Sequence, residues 1–143
     1  MGNTTFSGPV RTGTVREGVG VNLGSSLVTQ TDTFVFGDTG SFATSIILPA
    51  LSQIVDMHVD VFIAWDSVTS DALEIGDGTD VDIYGDVTDL QQTGRLITVL
   101  DGTQIAAIDA IGTSDVTITL TISSSGGSLT VGSGRLTMIY RQN

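Results

Sequence analysis

The chain has one histidine, His58, flanked at two-residue spacing by Asp56 and Asp60 in "IVDMHVDVFIAW" (54–65). Imidazole beside carboxylates is the raw material of a metal site or a pH switch, because the carboxylates favour the imidazolium. On a strand, residues two apart share one face and project in parallel, so they do not converge on an ion without a ligand from elsewhere. The plain reading is the wet face of a half-buried strand, with an intersubunit contact and a metal site as alternatives. The densest carboxylate run is "DGTDVDIYGDVTD" (77–89). Aligned on Asp80, an EF-hand register puts Tyr84 at the third ligand position and Gln91 at the twelfth, and the match fails. Asp77, Asp80 and Asp82 remain as calcium candidates in a loop of another kind, against the plainer reading of Asp-capped turns in solvent.

Other chemistries find little. Paired carboxylates suit a glycosidase, but no carboxyl stands out from the rest. There is no G-x-S-x-G, no P-loop and no Cys–His pair. The chain has one His, no Lys and no Cys, which leaves few acids, bases or nucleophiles. The expectation is a non-enzymatic protein with no cofactor. Trp65, Tyr84 and Tyr140 are candidates for a sugar-binding platform. Trp65 also continues the apolar face of its strand, which would place it in the core.

These residues need a scaffold, and the pattern supplies strands. The chain has 143 residues, enough for one domain. Fourteen Asp stand against two Glu (Glu17 and Glu74), and there is no Lys, so the usual helix formers are scarce. Strand patterns run through 26–37, 42–50, 54–65, 72–76, 95–100, 115–123 and 134–143, separated by Gly/Asp turns. In 54–65 the alternation puts Val55, Met57, Val59, Val61, Ile63 and Trp65 on one face, and Asp56, His58, Asp60, Phe62 and Ala64 on the other. In 115–123, Val116, Ile118, Leu120 and Ile122 face in and Thr117, Thr119, Thr121 and Ser123 face out. The stretch 77–94 reads as irregular, with a helical turn near 86–92. "QIAAIDAIG" (104–112) fits either a strand or a helical turn. The whole is an all-β chain, a β-sandwich of jelly-roll type over 25–143.

Residues 1–24 differ. They have no hydrophobic period, Gly at six positions, and Arg11, Arg16 and Glu17 as their only charges, a net of +1. The remaining 119 residues carry −12 of the total −11. We read the first segment as an extended arm and the rest as an acidic body that repels nucleic acid and anionic membranes. No signal peptide or membrane span is apparent in the sequence.

The arm also carries a resemblance. "NTTFSGPVR" (3–11) resembles the opening of small structural proteins of marine tailed phages. "ILPA" (47–50) before a long strand ending in "AW", "LEIGDGTDVDIY" (73–84), "GRL" (94–96) and "GRLTMIYRQ" (134–142) are similar in pattern, so the pieces span the chain. The resemblance implies a virion structural protein of the capsid decoration (cement) type, often a trimer, partnered by itself and the major capsid protein. It would be made in the host cytoplasm and sit on the capsid exterior. Other chains that share this opening continue into different bodies, which leaves a tail- or fibre-associated glycan-binding module as the alternative. For the arm, Phe6 and Val10 are apolar anchors beside Thr5, Pro9 limits the entropy lost on ordering, and Arg11 and Arg16 can pair with shell carboxylates.

Overall fold

The computed structural model describes residues 27–38 and 40–142. Eight strands and one helix follow in order: β1 (Leu27–Val35), β2 (Gly40–Leu48), β3 (Ser52–Ile63), β4 (Ser70–Gly76), β5 (Gly85–Val87), β6 (Gly94–Ile97), α1 (Gly102–Asp109), β7 (Val116–Ser125) and β8 (Ser133–Gln142). They form two four-stranded antiparallel sheets of order β1-β8-β3-β6 and β2-β7-β4-β5. Eight strands divided this way are an eight-stranded jelly roll. The expected all-β sandwich is therefore observed.

The core lies between the sheets. Leu48, Val59, Leu73, Ile75, Ile118, Leu120, Leu136 and Met138 have no exposed surface. They come from both inner faces, as alternation on β7 and β8 requires. Trp65 leaves the end of β3 and packs on Phe34 of β1, with ring centroids 5.4 Å apart. Gly132 makes this possible. A Cβ there would lie 2.5 Å from the indole, and its φ of +153° is one that favours glycine.

Strict alternation fails on β3. Bulges between Ile54 and Asp56 and between Val61 and Ile63 each shift the register against β8. Val55 and Ile63, expected inside, are exposed at 51% and 53%, and Ile54 takes the inward place. An extra residue turns its neighbours to the other face, and periodicity alone cannot place it. The expected helical turn near 86–92 is instead strand β5 followed by turns. The ambiguous stretch 104–112 resolves largely into α1. Asp101 accepts hydrogen bonds from Thr103 N and Gln104 N, and the Gln104 carboxamide accepts one from Asp101 N. This reciprocal cap fixes the helix start.

The open sides of the sandwich are stitched. On one side the Gln30 carboxamide bonds both Ile47 O (2.8 Å) and Ile47 N (3.0 Å), and Asp32 accepts from Ser45 N. These side chains join edge strand β1 to edge strand β2. On the other side Asp86 and Val99 form a backbone bridge from β5 to the segment after β6. Edge groups tied up in this way are poor templates for unintended strand pairing.

Candidate functional site

The most organised group of polar side chains lies on the outer face of the β1-β8-β3-β6 sheet. Strand β3 is central, and it meets the same tripeptide on both sides. Gly94-Arg95-Leu96 on β6 and Gly134-Arg135-Leu136 on β8 both oppose Val61-Asp60-Val59. Asp60 thus sits directly between two arginines. Arg95 donates through Nε (2.8 Å) and Nη2 (3.2 Å), and Arg135 through Nη2 (2.8 Å). Hydrogen bonds from Arg95 first, and from Arg135 next, hold the Asp60 carboxyl well below the usual carboxylate range. Asp60 in turn raises the pKa of Arg95. The Arg135 guanidinium also lies over the Phe62 ring, 5.5 Å from its centroid.

One carboxylate between two guanidinium groups leaves a net positive charge. Arg135 Nε is buried without a hydrogen-bond partner among the described residues. Phe62 (54% exposed) and Ile97 (77% exposed) flank the cluster. Sequence reading singled out Asp60 but missed its partners. The available signal was the tripeptide "GRL", present twice, at 94–96 and 134–136.

His58 lies one row away, opposite Thr137 on β8 and Ile97 on β6. It is buried, as is Thr137. Its Nδ1 is 3.7 Å from an Asp56 carboxylate oxygen, a loose contact with an exposed partner. Among the described residues no three His, Asp or Glu side chains are grouped to hold a metal ion. The parallel projection of neighbours on one strand face accounts for this.

The loop between β4 and β5 uses its acids on itself. Asp77 Oδ1 accepts from Thr79 N and Asp80 N, both at 2.8 Å. This Asx turn folds the loop back onto Gly76, where a Cβ would collide with the carbonyl of Asp80. Asp80 beside Asp82 raises the Asp82 pKa, chiefly through the hydrogen bond the two carboxyls share. Asp77, Asp80 and Asp82 are sequence neighbours in this turn, not a preformed cation cage. Gln104 ties the loop to the helix by donating to Asp82 O (2.8 Å).

Trp65, Tyr84 and Tyr140 are 2%, 5% and 4% exposed. The sugar platform is absent because these rings are core, and the Tyr140 hydroxyl is bonded by Gln30 (2.8 Å). Asp71 was not singled out in the sequence, yet it is fully buried. Its Oδ2 accepts from Ser67 Oγ (2.7 Å) and Ser67 N (3.2 Å), and its carbonyl from Leu90 N (2.8 Å). It pins the crossover from β3 to β4. The arm residues Thr5, Phe6, Pro9, Val10, Arg11 and Arg16 lie outside the described residues.

Neither a family model nor a curated protein matches the chain. Two solved structures share its fold. A chain of the "acidic stable" capsid structure of Helicobacter pylori bacteriophage KHP30 matches with a TM-score of 0.59 at 14% identity, over 82% of this chain and 88% of that one. A chain of the cyanophage Pam1 capsid asymmetric unit matches with a TM-score of 0.56 at 16% identity, over 94% of each chain. The fold is one found in phage capsids. At these identities the likeness is one of architecture, and it runs nearly end to end.

Proposed function

We propose that the chain is a virion structural protein, specifically a capsid decoration (cement) protein. In this reading it docks on the outer surface of a phage head, partners the major capsid protein and stabilises the shell without catalysis. The observation that carries the reading is the fold likeness to capsid chains over 94% of both partners in one case. The surface supports it. The organised polar cluster is a set of ion pairs on an open sheet face, suited to contact. The three rings offered for a glycan platform, Trp65, Tyr84 and Tyr140, are buried.

The arm supplies the hold. Residues 1–24 have a net charge of +1 against −12 for the rest, so Arg11 and Arg16 can seek carboxylates that the body cannot approach. Phe6 and Val10 offer apolar anchors, Pro9 limits the entropy lost on ordering, and the Thr/Ser/Val stretch that includes Thr5 can add a strand to a partner's sheet edge. A homotrimer turns three modest footprints into one firm attachment through effective concentration. The outward threonines of β7 (Thr117, Thr119 and Thr121) are candidates for that subunit contact. Deleting residues 2–16 should abolish shell binding and leave the body folded.

The deciding experiment is the copy number of this chain relative to the major capsid protein in purified particles, by quantitative mass spectrometry. Copies comparable in number to the major capsid protein are expected. A handful of copies per particle would move the protein to the tail and end the cement reading.

A further inference from the structure

An open groove of about 550 Å³ crosses one end of the β1-β8-β3-β6 sheet. Leu27 of β1, Arg141 of β8, Gln53, Ile54 and Val55 of β3, and Asp109 at the end of α1 line it. Leu27, Arg141 and Gln53 form one row across three strands. Gln53 closes the far side by donating from Nε2 to Asp109 Oδ1 (2.7 Å). The bulge after Ile54 turns Val55 out into the groove, where it and Leu27 are exposed apolar side chains. Arg141 Nε is buried with no hydrogen-bond acceptor among the described residues. Buried donors are nearly always bonded, so the groove offers an apolar surface and a donor that the described body leaves unmatched. Leu27 is also where the described residues begin, with residues 1–26 before it. The preceding chain therefore starts at the rim of the groove.

Residues 1–24 have no period as a whole, but their last apolar residues, Val19, Val21 and Leu23, stand at alternate positions, followed by Gly24, Ser25 and Ser26. An extended chain turns alternate side chains to one side, and Gly and Ser suit a turn that brings it back over the sheet. The reach is sufficient. From Leu27 across β8 to Val55 is two interstrand steps, about 10 Å. Leu23 lies four residues before Leu27, a span of up to about 14 Å. We propose that the groove is the seat of the chain's own residues 19–26, with Leu23 and Val21 on Val55 and Leu27, and a backbone carbonyl of the crossing segment accepting from Arg141 Nε. The segment is tethered at the rim, so its effective concentration there is on the order of millimolar, and a small apolar contact is enough to hold it. The free arm then begins near Glu17 and not at Leu27. The inference does not rest on the shell reading, since groove and segment belong to one chain.

The test is amide hydrogen exchange of the full chain, read by mass spectrometry. Residues 19–26 should exchange at least about tenfold more slowly than residues 2–11, each relative to its intrinsic rate. Val21→Ser with Leu23→Ser removes the occupant's apolar side, and Val55→Asp spoils the seat. Each should abolish that protection and leave the exchange of β3, β7 and β8 unchanged, which also verifies that the body is folded. The natural chain has no cysteine, so an introduced pair reports the contact directly. With an added thiol oxidant at low protein concentration, Leu23→Cys with Val55→Cys should close a disulfide within one chain. Leu23→Cys with Ile47→Cys is the control, because Ile47 is also exposed and lies beside β1 on the other sheet. That pair should link several-fold less. The proposal is overturned if residues 19–26 exchange as fast as residues 2–11, if the substitutions leave their protection unchanged, if the control pair links equally well, or if Leu23→Cys and Val55→Cys link only between copies.

Discussion

The two sheets of the jelly roll have nearly interchangeable inner faces and very different outer ones. Inward, each contributes fully buried aliphatic side chains to one core, Val59, Leu136 and Met138 from one sheet and Leu73, Ile75, Ile118 and Leu120 from the other. Outward, the β1-β8-β3-β6 sheet carries an ion-pair cluster, a cation–π contact and exposed Phe62 and Ile97. The β2-β7-β4-β5 sheet presents Ser41, Thr117, Thr119, Thr121 and Ser123, with Ser41 and Thr121 hydroxyls 2.7 Å apart. Its only charges in register are two acids, Glu74 opposite Asp86. Folding needs the inner faces alike, while nothing in folding requires the outer faces to differ. The difference therefore lies in surface chemistry that folding does not impose.

The comparison is broken most severely through the shared core. Leu136→Ala in one sheet and Leu120→Ala in the other should each cost about 2–5 kcal/mol, because both side chains have no exposed surface and leave cavities. Urea denaturation measures both. If one core serves the two sheets, the losses should be similar and the unfolding transition should stay single. A much smaller loss on one side would mean that its sheet is the less essential layer. Gly132→Ala should fall in the same range, since its Cβ would enter the Trp65 ring at 2.5 Å.

The outer faces should then separate in sign. Asp60→Asn leaves Arg95 and Arg135 opposed without a charged partner. The loss expected is about 1–2 kcal/mol, kept modest by the exposure of both arginines. Glu74→Gln removes one of two like charges paired across β4 and β5, so stability should hold or rise by about 0.2–0.5 kcal/mol. Equal losses at both positions would show that the faces do not differ electrostatically.

How much of this was legible follows the same division. Most strands and the inward residues of β7 could be read from alternation, because half-burial imposes a period of two. The β3 faces were misread at Val55 and Ile63, since each bulge inserts a residue that periodicity cannot register. The 77–94 stretch hid β5, whose three residues are too few to show a pattern. Helix α1 was visible only as an ambiguity, although Asp101 and Gln104 stand at capping-box spacing. Among candidate site residues, Asp56, His58 and Asp60 do share one outward face, but His58 is buried there and not wet as expected. The arginine partners of Asp60 come from strands 35 and 75 residues away, and such long-range register is not a local property of sequence. Aromatic type alone gave no means of telling Trp65, Tyr84 and Tyr140 as core from the same rings as a platform.

The smallest effect expected is in acid, and its sign differs between regions. Asp60 has a lowered pKa because Arg95 and Arg135 bond its ionised form. Asp66 is lowered because the Thr130 hydroxyl and the Thr130 and Val131 amides donate to it. For both, the unfolded chain binds the proton first. Their contribution is complete above the ordinary carboxyl pKa of about 4 and is lost as pH falls below it towards the folded values. Asp82 works the other way. Its raised pKa means that the folded chain binds the proton first, so it adds stability as pH falls towards 4 and loses it as pH rises through the folded value. Thermal unfolding from pH 7 down to pH 2 should therefore give a shallower acid loss for Asp60→Asn than for the parent. Asp82→Asn should remove a small gain on approach to pH 4. An acid slope unchanged in Asp60→Asn would mean that the arginine pair does not hold that carboxylate in solution, and the charged face would lose the anchor on which its difference from the other face depends.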